Sequence, residues 1–210
     1  MNGPIVSRET LERAAGQPVS RETFERIEAY AEILKRENEQ QNLVSASTIE
    51  HLWERHILDS AQLVRFEPAS GASWVDIGSG AGLPGLIIAC LVQGPVTLVE
   101  PRRLRAEFLT ETVDSLGLRA TVARAKSENV SGRFDMITGR AVAPLDRFLG
   151  ISHHLSHRGT IWVLPKGRNA ESELADARRS WQCEACLEAS ITDPESTILV
   201  LSGIQGRQRR

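Results

Sequence analysis

Between Trp74 and Val92 the chain reads WVDIGSGAGLPGLIIACLV: a short apolar strand, a loop carrying Gly78, Gly80, Gly82 and Gly85, then an apolar helix. Such a loop brings main chain within contact of a bound nucleoside cofactor, because a Cβ there would take the ligand's space or forbid the dihedrals required. Asp76 stands two residues before the first glycine, and Glu100 closes the next strand-like run, VTLVE. A carboxylate at the tip of a second strand can accept hydrogen bonds from both ribose hydroxyls of a nucleoside. Two cofactor chemistries fit. As GxGxxG the match is Gly80, Gly82 and Gly85 with an acid about 20 residues on, the pattern of a dinucleotide site. As DxGxGxG it is Asp76, Gly78, Gly80 and Gly82, with Ser79 and Leu83 in the same cradle. That is the spacing of an S-adenosyl-L-methionine site, where no pyrophosphate rests on the helix and the upstream acid can meet the methionine ammonium. The methyl-donor spacing is preferred. A turn with no ligand is disfavoured, since unneeded glycines cost about 1 kcal/mol each.

Other chemistry-bearing residues read more plainly. Cys90 falls in the apolar helix, where a small buried thiol is the usual reading. Cys183 and Cys186 form a CxxC with no second pair and no HxxxH after it, and a strand turns positions three apart to opposite faces. His153, His154 and His157 come at the end of a predicted helix, where imidazoles favour the negative end of the dipole. No metal site is expected. The net charge of −2 hides a division: residues 71–170 carry 12 Lys or Arg against 8 Asp or Glu, while the flanks together sum to −6. The basic surplus coincides with the glycine loop's half of the chain and permits phosphate binding there.

The elements that must position these groups follow from periodicity. VSRETLERA at 6–14 and VSRETFERI at 19–27 are near copies, each a helix start with Ser7 or Ser20 as cap and Glu9 or Glu22 in the first turn. Phe24, Ile27, Ala31 and Leu34 give the second helix one apolar face to near Glu39. A third helix is predicted from Ser47, with Ser47 and Glu50 as a capping box and Ile49, Leu52, Trp53, Ile57 and Leu63 as its stripe. From Trp74 strands alternate with helices: strands at 74–77, 96–100, 120–124, 134–138 and 160–164, helices at 84–92, 102–115, 144–156 and 169–180. Strand-like stretches at 183–190 and 196–203 then flank a turn, ITDPES, and the terminal GRQRR reads as a tail. The expected fold is α/β and Rossmann-like, a mostly parallel sheet with a C-terminal antiparallel hairpin and helices on both faces. Residues 1–70 are expected to form a helical extension on a domain of residues 71–210. That hairpin favours a methyltransferase over a dinucleotide fold. No apolar run reaches the length of a membrane span and the N-terminus has no signal-peptide core, so a cytoplasmic protein is expected, acting as a monomer.

Six segments together resemble one family, the bacterial small-subunit (16S) ribosomal RNA guanine-N7 methyltransferases, also called glucose-inhibited division protein B. They are NLVS (Asn42 to Ser45), RHILDS (Arg55 to Ser60), DIGSGAGLPG (Asp76 to Gly85), EPRRLRAEFL (Glu100 to Leu109), TGRAVAPL (Thr138 to Leu145) and LPKG (Leu164 to Gly167). The glycine loop is common to many methyltransferases; RHILDS with GRAVAPL is specific. The first 20 residues match nothing in the family pattern, and arginines follow the second strand where lysines are frequent. The resemblance implies cofactor contacts at Gly78, Leu83, Ser127, Glu128 and Arg140, with Glu100 on the ribose. It also implies a target guanine in the decoding-region hairpin of the small-subunit RNA, in a 30S particle or its precursor.

The residues favour N7 chemistry by what they omit. Attack from a pyrimidine carbon needs a cysteine, and the active-site strands have none; methylation of an exocyclic amine usually uses an NPPY-like turn, where this chain reads TGRA. Guanine N7 offers a lone pair directly, so catalysis reduces to alignment. Arg140 and Lys166, just beyond predicted strand ends, are the catalytic candidates, to grip guanine O6 or a phosphate. His56 and Asp59, three apart on one helix face, either shape the pocket with Asn42 or form a buried polar link to the sheet, the latter slightly preferred. The competing functions are a methyltransferase of a small molecule or protein, and a non-catalytic RNA-binding protein with a residual cofactor pocket.

Overall fold

The computed structural model describes residues 6–207. Two capped helices open the chain, α1 (Arg8–Ala15) and α2 (Arg21–Gln41); the Ser7 and Ser20 hydroxyls accept from the main-chain N–H groups of Thr10 and Thr23. The third helix departs from expectation. α3 (Ala46–Ile49) has Ser45, not Ser47, at its N-cap, and no Ser47–Glu50 box forms. The cause lies one turn upstream, where Asn38 Oδ1 accepts from Val44 N–H at 2.8 Å and starts the turn early. The helical path then widens to a π-helical turn at Trp53–Leu58, narrows through α4 (Asp59–Ala61) and ends as a 3-10 segment at Gln62–Phe66. Such π-turns inside helices recur at functional sites.

β1 (Trp74–Ile77), α5 (Gly85–Leu91), β2 (Val96–Val99), α6 (Arg103–Ser115), β3 (Ala120–Ala123) and β4 (Phe134–Thr138) alternate as predicted. They continue into α7 (Leu145–Ser152), β5 (Ser156–Lys166), α8 (Ala170–Ala177), β6 (Trp181–Ala189) and β7 (Thr197–Gly206). β5 is longer than predicted and contains Lys166 as its last residue. The sheet runs β3-β2-β1-β4-β5-β7-β6, parallel through β5, with β7 antiparallel to both β5 and β6. Gly206 belongs to β7, and Arg207 donates from its main chain to Ser180 O, so the tail expectation fails there; residues 208–210 lie outside the described residues.

Strand alternation divides the core in two. Trp74 and Leu98 face α5, α6 and the N-terminal helices, where Leu11, Ile27, Tyr30 and Leu34 join the same apolar cluster. Val75, Ile77 and Val99 face α7 and α8. The N-terminal helices therefore share a core with the sheet. Asp76, alternating with Val75 and Ile77, points toward the N-terminal helices and is fully buried. The order reverses between β1 and β4, which opens the ligand crevice of such sheets at the C-terminal ends of these strands.

The thiols and imidazoles have ordinary explanations. All three cysteines are free, Cys90 buried and Cys186 exposed. His153 and His154 each place Nε2 on a main-chain carbonyl, those of Ile204 and Val130, and His157 pairs with Asp135 at 3.0 Å. Among the described residues no cluster of metal-ligating side chains forms, and no helix is long and apolar enough to cross a membrane.

Candidate active site

The glycine loop is held from three sides. Gly78 and Ser79 donate main-chain N–H bonds to Val99 O, at 2.8 and 3.0 Å, tying the loop to β2. Glu100 accepts from Gly80 N–H through Oε2 at 3.0 Å and from Arg102 N–H through Oε1 at 2.9 Å. From the opposite side Tyr30, the chain's only tyrosine, reaches out of α2 and donates its hydroxyl to Ala81 O at 2.8 Å. Burial pushes the Tyr30 hydroxyl's pKa upward, so it remains a donor.

The four glycines divide by role, which the sequence did not reveal. At Gly80, with φ +55°, a Cβ would meet Gly78 O at 3.7 Å and Arg105 NH1 at 3.8 Å, ordinary contacts that force no neighbour to move. Glycine is required there by the left-handed backbone and not by crowding within the protein. A Cβ on Gly82 would stand 2.2 Å from Leu86 Cδ1, and one on Gly85 2.3 Å from Leu98 Cδ2 and 2.6 Å from Asp76 Oδ2. These two are small so that the loop and α5 can settle on the sheet. Leu83 turns its side chain into the core. Asp76 Oδ2 accepts from Gly85 N–H at 3.1 Å, while its buried Oδ1 has no partner. An unpartnered carboxylate oxygen under the loop, an uncrowded glycine at position 80 and an acid-tipped β2 fit a nucleoside donor that carries an ammonium group. On the far side of the loop Ser127 is buried in a 3-10 turn, Ser127–Asn129, and donates to the exposed Glu128 at 3.1 Å.

Beyond β4 the chain makes a tight loop in which Ala141 adopts φ +56°. Its Val142 Cγ2 lies 2.9 Å from where a Cβ on Gly78 would stand, so this loop abuts the glycine loop. A cavity of about 480 Å³ opens beside it, and Asp59, Arg140, Lys166 and Glu173 all contribute to its wall. Arg140 NH1 lies 3.5 Å from Asp59 Oδ2, and Lys166 Nζ donates to Glu173 Oε2 at 2.8 Å. After burial, the Arg140 charge is the next influence on the Tyr30, His56 and Asp59 ionisations.

The two cationic candidates thus converge on one cavity. Asp59 both lines the cavity and meets the β6–β7 turn: burial raises its pKa, and it accepts from Thr192 and Gln62, while Arg55 pairs with Asp193 on the same turn. His56 is different, because both ring nitrogens are buried with no partner among the described residues. Asn42 does not join them; it ends α2 in the left-handed conformation at φ +50° and is exposed, away from the cavity wall. Sequence reasoning missed Glu173 and Tyr30. Tyr30 lies on the apolar face of α2 and offers no pattern of its own; Glu173 is one acid among several in α8.

Burial, and after it the Arg140 and Arg55 charges, push His56 down to about 4. The folded protein keeps this ring neutral while the unfolded chain binds a proton below about pH 6.5, so its contribution to stability is lost as pH falls from 6.5 toward 4. Discounted for partial exposure, the loss is about 1–2 kcal/mol. His56→Gln is expected to lose less stability than the native chain between pH 7 and 4.5, as read from urea midpoints; parallel curves would refute it.

A sheet of this order, with a glycine loop after β1 and an acid closing β2, defines the class I S-adenosylmethionine-dependent methyltransferases. The family model for GidB, rRNA small subunit methyltransferase G, matches residues 23–197, and the chain belongs to that family. It is 43% identical over 201 residues to the ribosomal RNA small subunit methyltransferase G of Zymomonas mobilis subsp. mobilis, covering 91% of each chain. In fold it resembles a ribosomal protein L11 methylase from Lactobacillus delbrueckii subsp. bulgaricus, with a TM-score of 0.59 and 13% identity over 71% of this chain and 78% of that one. It also resembles a variant of MtNAS solved with S-adenosylmethionine, with a TM-score of 0.58 and 15% identity over 96% and 86% of the two chains.

Proposed function

We propose that this protein transfers the methyl group of S-adenosylmethionine to N7 of a guanine in the decoding-region hairpin of small-subunit ribosomal RNA. The observation that carries the reading is the cavity beside the loop that follows β4, whose wall holds both Arg140, paired with Asp59, and Lys166, paired with Glu173. Attack by N7 requires no general base, because its lone pair attacks without losing a proton. The cofactor supplies an electrophilic methyl on a sulfonium sulfur. Asp76 would meet its ammonium, Glu100 its ribose, and Gly78, Ser79, Gly80, Gly82 and Leu83 its body through main chain, with Ser127 and Glu128 beside the adenine. Arg140 and Lys166 grip the base at O6 or an adjacent phosphate and hold N7 in line with the departing sulfur, at about 3–3.5 Å from the methyl carbon. The protein works as a monomer in the cytoplasm, where its ribosomal partner is assembled.

The test is to map methylated nucleotides in 16S RNA from a deletion strain before and after complementation. One guanine that loses and regains its N7 methyl supports the reading; transfer to small molecules or protein at a comparable rate without RNA overturns it, as does donor binding with no RNA labelled. Glu100→Ala is expected to weaken donor binding by about 1–3 kcal/mol, since charge-assisted bonds are lost and Gly80 N–H is left without its acceptor. Unchanged affinity in calorimetry would remove Glu100 from the ribose.

A further inference from the structure

We infer that Glu173 and Lys166 act together as the guanine selector of this enzyme, an inference that rests on the guanine-N7 reading. Lys166 Nζ sits 2.8 Å from Glu173 Oε2, and both side chains are largely buried in the cavity wall, 13% and 29% exposed. Oε2 also accepts from Leu145 N–H at 2.9 Å, whereas Oε1 has no hydrogen-bond partner among the described residues. The pair therefore offers the cavity a donor beside a free acceptor. Guanine carries the complement on its edge, with O6 an acceptor beside the N1–H donor. Adenine inverts both, setting its amino group against the ammonium and its N1 lone pair against the carboxylate.

The strand order sets these groups in sequence along the sheet edge. Across the sheet edge the sequence is Gly78 after β1, Arg140 after β4, then Lys166 at the end of β5, each step about 4.8 Å. On guanine, N7 and N1–H flank O6 on opposite sides. With O6 on Lys166 and N1–H on Glu173, N7 is left unheld on the other side of O6, the position the methyl donor must reach. Pro144, Pro165 and Ile198 supply apolar wall for the faces of the ring, and the volume lies within the roughly 300–1,000 Å³ of small-molecule sites. The base reaches this place only when unstacked from its RNA.

The experiment measures single-turnover methyl transfer to small subunits from an enzyme-deficient strain, bearing guanine or adenine at the target position, with wild-type protein and Glu173→Gln. The variant is expected to slow about ten- to hundredfold on guanine and to lose most of its discrimination against adenine, with donor affinity unchanged. A variant that keeps full discrimination overturns the inference. Because Glu173 also receives Leu145 N–H, wild-type protein is measured in parallel on subunits carrying inosine, which keeps O6 and N1–H. Transfer within about tenfold of guanine supports the pair as the reader, and inosine rejected as strongly as adenine refutes it. Guanine labelled at N7 by wild type with discrimination intact in the variant sinks this inference alone; no N7 label from wild type sinks the underlying reading.

Discussion

Asp76→Asn is expected to weaken donor binding at least tenfold while leaving the ligand-free protein as stable at pH 7.5 as the native chain, or more so. Burial raises the Asp76 carboxyl to about 6, with Ser79 and Gly85 N–H only partly offsetting it. A carboxyl raised in the fold holds its proton longer than in the unfolded chain, so ligand-free stability falls as pH climbs from about 4 to 6 and stays lower above. At about 1.4 kcal/mol per unit the buried anion costs the empty fold roughly 2–3 kcal/mol, which a bound ammonium relieves. Asparagine removes the cost and the relief together. Thermal melts at pH 5 and 7.5, with donor calorimetry on the same preparations, read both effects; donor affinity equal to wild type would dissociate Asp76 from the ammonium. His56 has the opposite pH slope, so each effect is legible only as a difference between variant and native chain.

Arg140→Ala is expected to depress turnover by about a hundredfold, or roughly 3 kcal/mol of transition-state stabilisation, with the fold intact. The guanidinium is the cation common to Tyr30, His56, Asp59 and Asp76, and it lines the cavity where the base would enter. Its removal leaves Asp59 to Thr192 and Gln62 alone. Wild-type labelling of ribosomal RNA by a variant with native circular dichroism would exclude Arg140 from the mechanism.

The sheet was legible in the sequence because each strand is a short apolar run between helices with their own period, and glycine or proline punctuates the joins. Where the third helix went astray, the deciding contact was between Asn38 and Val44, a side-chain bond no periodicity records. A donor site could be proposed from the sequence because the candidate residues are concentrated in one loop and one strand end. Within that loop, a glycine required for its left-handed backbone at Gly80 and glycines required for clearance of Leu86 or Leu98 at Gly82 and Gly85 look identical as letters. The acceptor half gathers Asp59, Arg140, Lys166 and Glu173 from four separate segments. Arg140 and Lys166 could be proposed because each follows a strand; Glu173 needed the fold to bring α8 over β5.

The tyrosine that clasps Ala81 from α2 makes the first helices a structural partner of the donor cradle. A chain trimmed to begin at residue 71 would retain every sheet strand and every group assigned to the donor. It would nevertheless lose the Tyr30 hydroxyl that Ala81 O accepts from, along with the apolar residues that the first helices contribute to one sheet face. The segment least like a catalytic domain thus shares both its core and a hydrogen bond with the glycine loop.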